Sequence, residues 1–266
     1  MRRGGRSHLG RSGLLVVLYG LTVLLLAASS IAADSASAEP PRFSVAAPGI
    51  AHALVDVRPA NGEPFLSRVF RIDLDVADLR LVPAGAPGAR RTVAQIVASY
   101  SAVAAVNASF FDQEGRAMGL VVDGGQTMAA GNRRSWGALV VDGTRARIVL
   151  GADIEDHRAH RLIVQGIPRL VVGGQVQKLK PQMAERTAVC AEGGLVVLVV
   201  ATKAESTAFA RFLATPVDQG GLGCPDALNL DGGPSTQLVA RLPGLTLSVP
   251  GGWGVPNALV ATPGQR

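Results

Sequence analysis

The stretch ALNLDGGPSTQLV, residues 227–239, places a lone carboxylate and two hydroxyls between apolar runs. An Asp-Gly step between such runs is typical of a tight hairpin, in which Asp231 would only cap the turn. Two features favour a binding role instead. The consecutive glycines Gly232 and Gly233 let the backbone approach a ligand closely, and their N–H groups can hold an anion. A carboxylate between buried strands also needs polar partners.

Short apolar runs separated by glycine-containing turns recur on both sides of this stretch, and they predict β-strands. Hairpins are expected in MGLVVDGGQ, WGALVVDGTRARIVL, PRLVVGGQVQKL and RTAVCAEGGLVVLVV. Further strands are expected in HALVDV, RVFRIDL, LRLVP, AVAAVN, ALNL, TQLVA and NALVA.

Two segments have helical periodicity. In TVAQIVASY the apolar side chains from Val93 to Tyr100 recur at helical spacing after a capping Thr92, and ESTAFARFLA places Phe209 and Phe212 on one face. Strands therefore dominate over short helices. The expected class is α+β, with a mixed or antiparallel sheet system in a single domain over residues 39–266.

Composition sets the broad class of the protein. The chain has 266 residues, of which 48% are hydrophobic and 17% charged, so one domain can bury a substantial core. The formal net charge is +6, and four of the arginines lie within the first eleven residues. The remaining small excess is spread along the chain, which argues against a nucleic-acid partner.

The N-terminus resembles a targeting segment. Arginines precede the apolar run at residues 13–28, which is short for a membrane span and suits a signal peptide. We expect residues 1–38 to comprise a signal peptide and a short linker, with cleavage after Ala32, Ala33 or Ala38. An uncleaved anchor is the alternative. The expected location is periplasmic or extracellular, with no stable membrane span after cleavage.

The two cysteines, Cys190 and Cys224, suit an exported protein, and we expect them to pair. Two buried free thiols are the alternative. The histidines of DIEDHRAH, His157 and His160, lie near acidic residues, but their spacing matches no strong metal motif and favours a solvated loop. No metal or cofactor is predicted, although the sequence leaves open a divalent cation at Asp231.

Four segments carry polar groups where apolar runs end: NASFFD, RTAVC, the opening motif and VPNALVA. Buried polar groups need hydrogen-bond partners, so these segments are expected to meet in one polar pocket at one end of the sheet. Four independent turns are the alternative. The chain lacks a Gly-x-Ser-x-Gly elbow and a P-loop, which disfavours those chemistries.

The order of NASFFD, GLVVDGGQ, QGIPRLVVGGQ, RTAVC, ALNLDGGPSTQL and VPNALV resembles the phosphodiester glycosidase family over roughly residues 50–262. Asn-Leu-Asp-Gly-Gly is the most specific part of this resemblance. The chain has Asn107-Ala108-Ser109 where the family commonly has Asn-Gly-Gly, and Pro234 where it often has a third glycine. The resemblance implies hydrolysis of a sugar-1-phosphodiester, and the departures indicate a subfamily.

One carboxylate suffices for this chemistry, because a phosphate monoester with a second pKa of about 6 leaves without a strong acid. The catalytic residues expected are Asp231, Arg186 and Asn107, with Arg186 clamping the phosphate or forming an ion pair with Asp231 in the empty site. The residues expected to bind substrate are Asn229, Gly232, Gly233, Ser235, Thr236, Asn257, Phe111 and Asp112, of which Asp112 is a reserve carboxylate.

Two functions follow from these residues. The first is an exported hydrolase of glycosyl phosphodiesters from the cell envelope or its surroundings. The second is a non-catalytic envelope module that binds anionic glycans in the same pocket. Turnover of a sugar-1-phosphodiester separates them.

Overall fold

A computed structural model describes residues 39–264 of the chain. The predicted signal peptide at residues 1–38 lies outside the described residues. Within the described part, no helix is both long enough and apolar enough to cross a membrane.

The largest sheet has eight strands, and each strand pairs antiparallel with its neighbours. In spatial order these strands are β1 (Ser44–Ala47), β2 (Ile50–Val57), β3 (Phe65–Asp73), β14 (Leu195–Glu205), β13 (Met183–Glu192), β15 (Ala227–Asn229), β11 (Arg169–Val172) and β12 (Gln175–Val176).

Two five-stranded antiparallel sheets complete the fold. One has the order β7 (Gln126–Ala130), β6 (Leu120–Asp123), β10 (Leu162–Gly166), β8 (Gly137–Asp142) and β9 (Arg145–Leu150). The other has the order β17 (Leu245–Val249), β16 (Leu238–Leu242), β5 (Ala104–Asn107), β18 (Asn257–Pro263) and β4 (Ala77–Pro83). The expected strand-rich α+β class is confirmed, and the sheets are antiparallel throughout.

The four predicted hairpins are present as β6–β7, β8–β9, β11–β12 and β13–β14. Glycines at their turns adopt left-handed backbone angles; Gly143 between β8 and β9 has φ 55° and Gly193 between β13 and β14 has φ 56°. Side chains other than glycine rarely adopt such angles, so the Asp-Gly and Glu-Gly-Gly steps determine where the strands reverse.

Both predicted helices occur, but the first is short. Helix α1 (Val93–Ile96) begins with a capping box between Thr92 and Gln95 and ends before Tyr100, which is 43% exposed. The Tyr100 N–H bonds instead to the Val97 carbonyl in a tighter turn, because the chain must turn into β5 within a few residues. Helix α2 (Ser206–Ala214) is capped by the Glu205 carboxylate and buries Phe209 and Phe212 as expected.

The core lies in layers on either side of the eight-stranded sheet. Along β13, Val189 and Ala191 point into a central core that all three sheets share, whereas Ala188 and Cys190 point into a second core beneath α2. This alternation follows from the two-residue period of a strand. A third cluster packs α1 against the outer face of the β16–β5–β18 sheet.

The two cysteines form a disulfide across the layer beneath α2. Cys190 on β13 is joined to Cys224, which precedes β15, with the Cα atoms 5.9 Å apart. Both cysteines are buried in the cluster that includes Phe209.

Candidate active site

Polar residues from three strands and one turn meet beside Asp231. Asn107 ends β5 and Asn257 begins β18, which pair with each other in one sheet. Thr187 lies on β13 of the eight-stranded sheet, and Asp231 follows β15, its neighbour. Two different sheets therefore bring these polar residues together, as the sequence predicted for NASFFD, VPNALVA and the opening motif.

The side chain of Asn107 makes hydrogen bonds to three other residues of this region. Its Nδ2 donates to the Asp231 carbonyl at 2.7 Å, and its Oδ1 accepts from Thr187 Oγ1 at 2.8 Å and from the Gln237 N–H at 3.0 Å. The Asp231 N–H in turn donates to the Ala108 carbonyl at 3.1 Å. Asn107 and Ala108, each only 1% exposed, thus fix the two backbone groups of Asp231.

Asn257 supports the same segment from the neighbouring strand. Its Oδ1 accepts from the Ser109 N–H, and its Nδ2 donates to Ser109 Oγ, both at 3.0 Å. All of its contacts are internal to the protein. Both polar atoms of the Asn257 side chain thus hold the segment that follows Asn107.

The side chain of Asp231 is partly buried, and burial raises its carboxyl pKa above the ordinary value. Hydrogen bonding from Ser235 and from the Gly232 N–H favours the ionised form and offsets part of this shift. The Gly232 N–H donates to Asp231 Oδ1 at 3.0 Å. Asp231 is thus a carboxylate whose proton affinity is higher than that of an exposed aspartate.

The turn after Asp231 is a single 3-10 turn, Gly233–Ser235. Gly233 has φ 57°, and a Cβ at Gly232 would lie 2.9 Å from the Glu185 carbonyl oxygen. The motif therefore needs one glycine for its backbone angle and one for close approach. The Gly232 N–H already donates to Asp231, so of the two glycine N–H groups expected to bind an anion only that of Gly233 is left. Ser235 and Thr236 are both buried.

Arg186 does not contact Asp231. Its Nε donates to the Ala204 carbonyl at 3.2 Å, and its Nη2 donates to the Gln182 carbonyl and to Ser206 Oγ. Burial lowers the pKa of Arg186, and the charges nearest to it are Glu205 and Glu185.

The guanidinium therefore lies on the α2 side of the sheet. Thr187, the next residue on β13, points to the Asn107 network instead, because successive side chains alternate between faces. Among the described residues, no ion pair joins Arg186 to Asp231. The expected phosphate clamp beside Asp231 is not formed by this arrangement.

The side chain of Asn229 also bonds to backbone groups. Its Nδ2 donates to the Ile167 carbonyl at 2.9 Å and to the Leu230 carbonyl at 2.8 Å, and the residue is buried. It holds the end of β15 in place immediately before Asp231, where the sequence had suggested a contact with substrate.

A cleft of about 700 Å³ lies beside the motif turn, and Phe111 and Asp112 line it together with Arg90 and Trp253. The N–H of Trp253 donates to the Pro234 carbonyl at 3.2 Å, so the cleft wall is attached to the turn that follows Asp231. Trp253 is 57% exposed. The Arg90 guanidinium lies 5.6 Å from the centre of the Phe111 ring, and Asp231 itself does not line the cleft.

Asp112 differs from Asp231 in its electrostatics. The backbone N–H and the guanidinium of Arg116 hold the pKa of Asp112 below its ordinary value, and the two side chains form an ion pair at 2.9 Å. A carboxylate that ionises more readily is poorly suited to donate a proton. The structure thus separates the two carboxylates into different electrostatic environments.

Sequence reasoning missed several residues of this region. Gln237 is buried; its Oε1 accepts from the Val93 N–H at 2.8 Å, and its Nε2 donates to the Trp253 carbonyl at 2.7 Å. Its position at the end of the motif, before a buried strand, was an available signal. Arg90 and Trp253 lie in loops without any motif, so only the folded chain brings them to the cleft.

The histidine-containing stretch behaves as expected for a loop. His157 lies in a 3-10 turn, His157–Ala159, and His160 Nδ1 pairs with the Asp142 carboxylate at 2.9 Å. Within residues 39–264, no three side chains of the metal-binding types form a cluster.

A family model for phosphodiester glycosidases matches residues 100–262, which is more than half of the chain. The chain belongs to the phosphodiester glycosidase family. The match includes Asn107, Thr187, Asp231 and Asn257, and so covers the whole polar network. Family membership supports a glycosidase-type function, and a search of curated proteins finds no match.

Solved structures share the fold at low sequence identity. The catalytic domain of zebrafish N-acetylglucosamine-1-phosphodiester alpha-N-acetylglucosaminidase, auto-inhibited by its pro-peptide, is 17% identical with a TM-score of 0.62, and the alignment covers 86% of this chain and 87% of that one. A hypothetical protein from Synechocystis is 18% identical with a TM-score of 0.59, over 85% of this chain and 64% of that one.

A third similar structure is a protein of Burkholderia pseudomallei described as exported. It is 17% identical with a TM-score of 0.56, over 75% of this chain and 74% of that one. These likenesses establish a shared fold for this member of the phosphodiester glycosidase family.

Proposed function

We propose that the protein is an exported hydrolase that cleaves glycosyl-1-phosphodiesters with Asp231 as its key carboxylate. The observation that carries this proposal is the setting of Asp231. Its backbone is fixed by Asn107 and Ala108, and burial raises the pKa of its side chain. A raised pKa moves a carboxylate toward the range in which general bases act most effectively near neutral pH.

The reaction is a hydrolysis at the anomeric carbon. A water oxygen bonds to that carbon while the bond from the carbon to the phosphate oxygen breaks, and the bonding electrons stay on the phosphate. Asp231 takes the proton of the attacking water and later releases it to solvent. The products are a free sugar and a phosphate monoester, whose low second pKa of about 6 removes the need for a strong acid.

The substrate is proposed to lie across the motif turn, with its anomeric carbon at Asp231 and its sugar and phosphate groups reaching into the cleft beside the turn. Trp253 and Phe111 offer apolar ring surface to a sugar, and the exposed Arg90 offers a cation to the phosphate. Gly233 adds a backbone N–H at the same turn. Arg90 thus takes the phosphate-binding role that sequence reasoning assigned to Arg186, whose guanidinium is engaged on the α2 side.

The test measures sugar release from a panel of sugar-1-phosphate methyl diesters by the purified chain and its variants. Asp231→Asn keeps the shape of the side chain and removes its charge, so the rate should fall about 10²–10⁴-fold. Asp218→Asn is the matched control, because Asp218 is exposed on the 3-10 turn after α2 and does not line the cleft. Running the reaction in ¹⁸O-water should place the label on the sugar, not on the phosphate.

Three outcomes would contradict the proposal. Near-full turnover by folded Asp231→Asn would make the carboxylate structural. Label on the phosphate would mean that the P–O bond breaks. Binding of the diesters without any turnover would favour the alternative, a non-catalytic envelope module for anionic glycans.

A further inference from the structure

The loop between β7 and β8 is fixed by one fully buried glutamine. Gln165 on β10 accepts hydrogen bonds on Oε1 from the N–H groups of Leu120 and Arg133, both at 2.8 Å. Its Nε2 donates to Asn132 Oδ1 at 2.9 Å and to the Arg133 carbonyl at 3.0 Å. This side chain has no exposed surface; it holds both backbone groups of Arg133 and the side chain of Asn132, and so ties the loop to β6 and β10.

The braced loop presents two exposed arginines, Arg133 and Arg134. Neither forms an ion pair with any residue in the described range 39–264. The Arg133 guanidinium lies 5.9 Å from the centre of the Trp136 ring, and Trp136 packs edge-on against Phe110 at 5.6 Å. The loop therefore carries two free positive charges on a rigid support.

Phe110 connects this loop to the candidate active site. It lies two residues after Ala108, whose carbonyl accepts the Asp231 N–H, and one residue before Phe111, which lines the cleft. Two arginine–aromatic pairs thus flank the Phe110–Phe111 step: Arg90 with Phe111, and Arg133 with Trp136. Cations are available on both sides of the segment that follows Asn107.

No carboxylate of the described residues forms an ion pair with the two loop arginines. Asp112 and Glu114 both pair with Arg116, at 2.9 and 3.0 Å, and Asp153, in the turn beside the loop, accepts from the Leu150 N–H at 3.3 Å. One sugar phosphodiester carries a single negative charge, which Arg90 alone could match. Two further free arginines at a fixed position indicate a ligand with further phosphates.

We propose that residues 131–136 form a second anion subsite, and that the substrate class is a glycan with repeating sugar phosphates. This inference rests on the proposed function for the scissile bond. One phosphodiester lies by Asp231 and Arg90, and a neighbouring phosphate of the same chain binds Arg133 and Arg134. A nucleic acid is disfavoured because Trp136 is packed against Phe110 and covered by Arg133, which leaves it poorly placed for base stacking.

The test compares two substrates and two double variants. The substrates are a sugar-1-phosphate methyl diester and an oligomer of three sugar-phosphate repeats. The variants are Arg133→Ala/Arg134→Ala and a control, Arg145→Ala/Arg211→Ala, that removes the same charge elsewhere. Arg145 is exposed at the far end of the β8–β9 hairpin, about 15–20 Å along the strand from the loop, and Arg211 is exposed on α2.

The loop variant should raise KM for the oligomer about tenfold or more, because each arginine makes charge-assisted hydrogen bonds to phosphate. KM for the methyl diester should stay unchanged, as should both values for the control variant. The same comparison is made by equilibrium binding to Asp231→Asn protein, so that the subsite is tested without catalysis. The glutamine variant Arg133→Gln/Arg134→Gln and matching thermal unfolding curves guard against a folding defect.

The outcomes separate this inference from the proposed function. Weaker oligomer binding by the loop variant, in a chain that turns over neither substrate, would support the subsite and refute the hydrolase. An equal effect on both substrates, or none, would refute the subsite whatever the activity. A single-stranded oligonucleotide of equal charge that competes as well as the oligomer would overturn the glycan class.

Discussion

Asp231 shows at the scale of one residue how a fold changes the chemistry of a side chain. Burial raises the pKa of its carboxyl, although Ser235 and the Gly232 N–H favour ionisation. The sequence singled out this residue as the centre of the motif. It did not specify the contact itself: Asn107, 124 positions away, donates to the Asp231 backbone and not to its carboxylate.

The raised pKa of Asp231 predicts a stability change of known sign. The folded state binds the proton more tightly than the unfolded state, so keeping the carboxylate ionised at neutral pH costs folding free energy. Asp231→Asn removes this cost, and the variant should be more stable than the wild type at pH 7. The gain should shrink as the pH falls through the folded pKa, and vanish below the ordinary value of 3.8.

Urea unfolding at several pH values measures this difference, with Asp218→Asn as a control that should show none. A variant that is less stable than the wild type at pH 7 would mean that the Ser235 and Gly232 hydrogen bonds outweigh burial. Asp231→Asn would then lower both the activity and the stability. A carboxylate that is kept for function at a cost in folding free energy should instead give a variant that is less active but more stable.

At the scale of elements, strand geometry explains why the sequence predicted the hairpins and why it did not predict the face on which Arg186 lies. The hairpins were predictable because each turn contains glycine at a position that needs a left-handed backbone angle. The orientation of Arg186 was not predictable, because Arg186 and Thr187 face opposite sides of β13 and the sequence alone does not tell which side holds Asn107. In the structure Thr187, not Arg186, bonds to Asn107.

Arg186 is predicted to act on stability more than on substrate binding. Arg186→Lys keeps the charge but cannot reach the Ala204 carbonyl and Ser206 Oγ together, as the guanidinium does. Loss of buried hydrogen bonds to a charged group costs about 1–3 kcal/mol, or roughly 2–10 °C in Tm for a domain of this size. Thermal unfolding and the KM for a sugar phosphodiester should be measured on the same preparation.

Arg211→Lys is the matched control, because Arg211 is an exposed arginine on α2 outside any ion pair of the described residues. Its Tm should not change. If KM rises about tenfold in Arg186→Lys while Tm stays unchanged, the prediction is wrong and Arg186 binds the phosphate of the substrate.

At the scale of the whole molecule, long-range pairing sets the position of the site. Strand β3 pairs with β14, which lies over 120 positions later in the chain, and β5 lies between β16 and β18. Local patterns predicted most strands of the three sheets but missed β1, β10 and β17, and they contain no information on this order. The convergence of Asn107, Asn257 and Asp231 was nevertheless predictable, because buried polar residues at strand ends must find partners and these residues were the available ones.

The disulfide joins β13 to the segment before β15 in the layer beneath α2, and its contribution to stability can be estimated from the length of chain that it closes. Cys190 and Cys224 are 34 positions apart, and closing a loop of that length lowers the entropy of the unfolded chain by an amount worth about 3–4 kcal/mol.

Cys190→Ala/Cys224→Ala should lower the free energy of unfolding by this amount. Reductant should produce the same loss in the wild type and none in the variant. The rate constant for sugar release from a phosphodiester should stay unchanged in the folded variant, because both cysteines lie in the core under α2 and not in the Asn107 network. Two titratable thiols in unreduced, denatured protein from an oxidising compartment would refute the pairing itself.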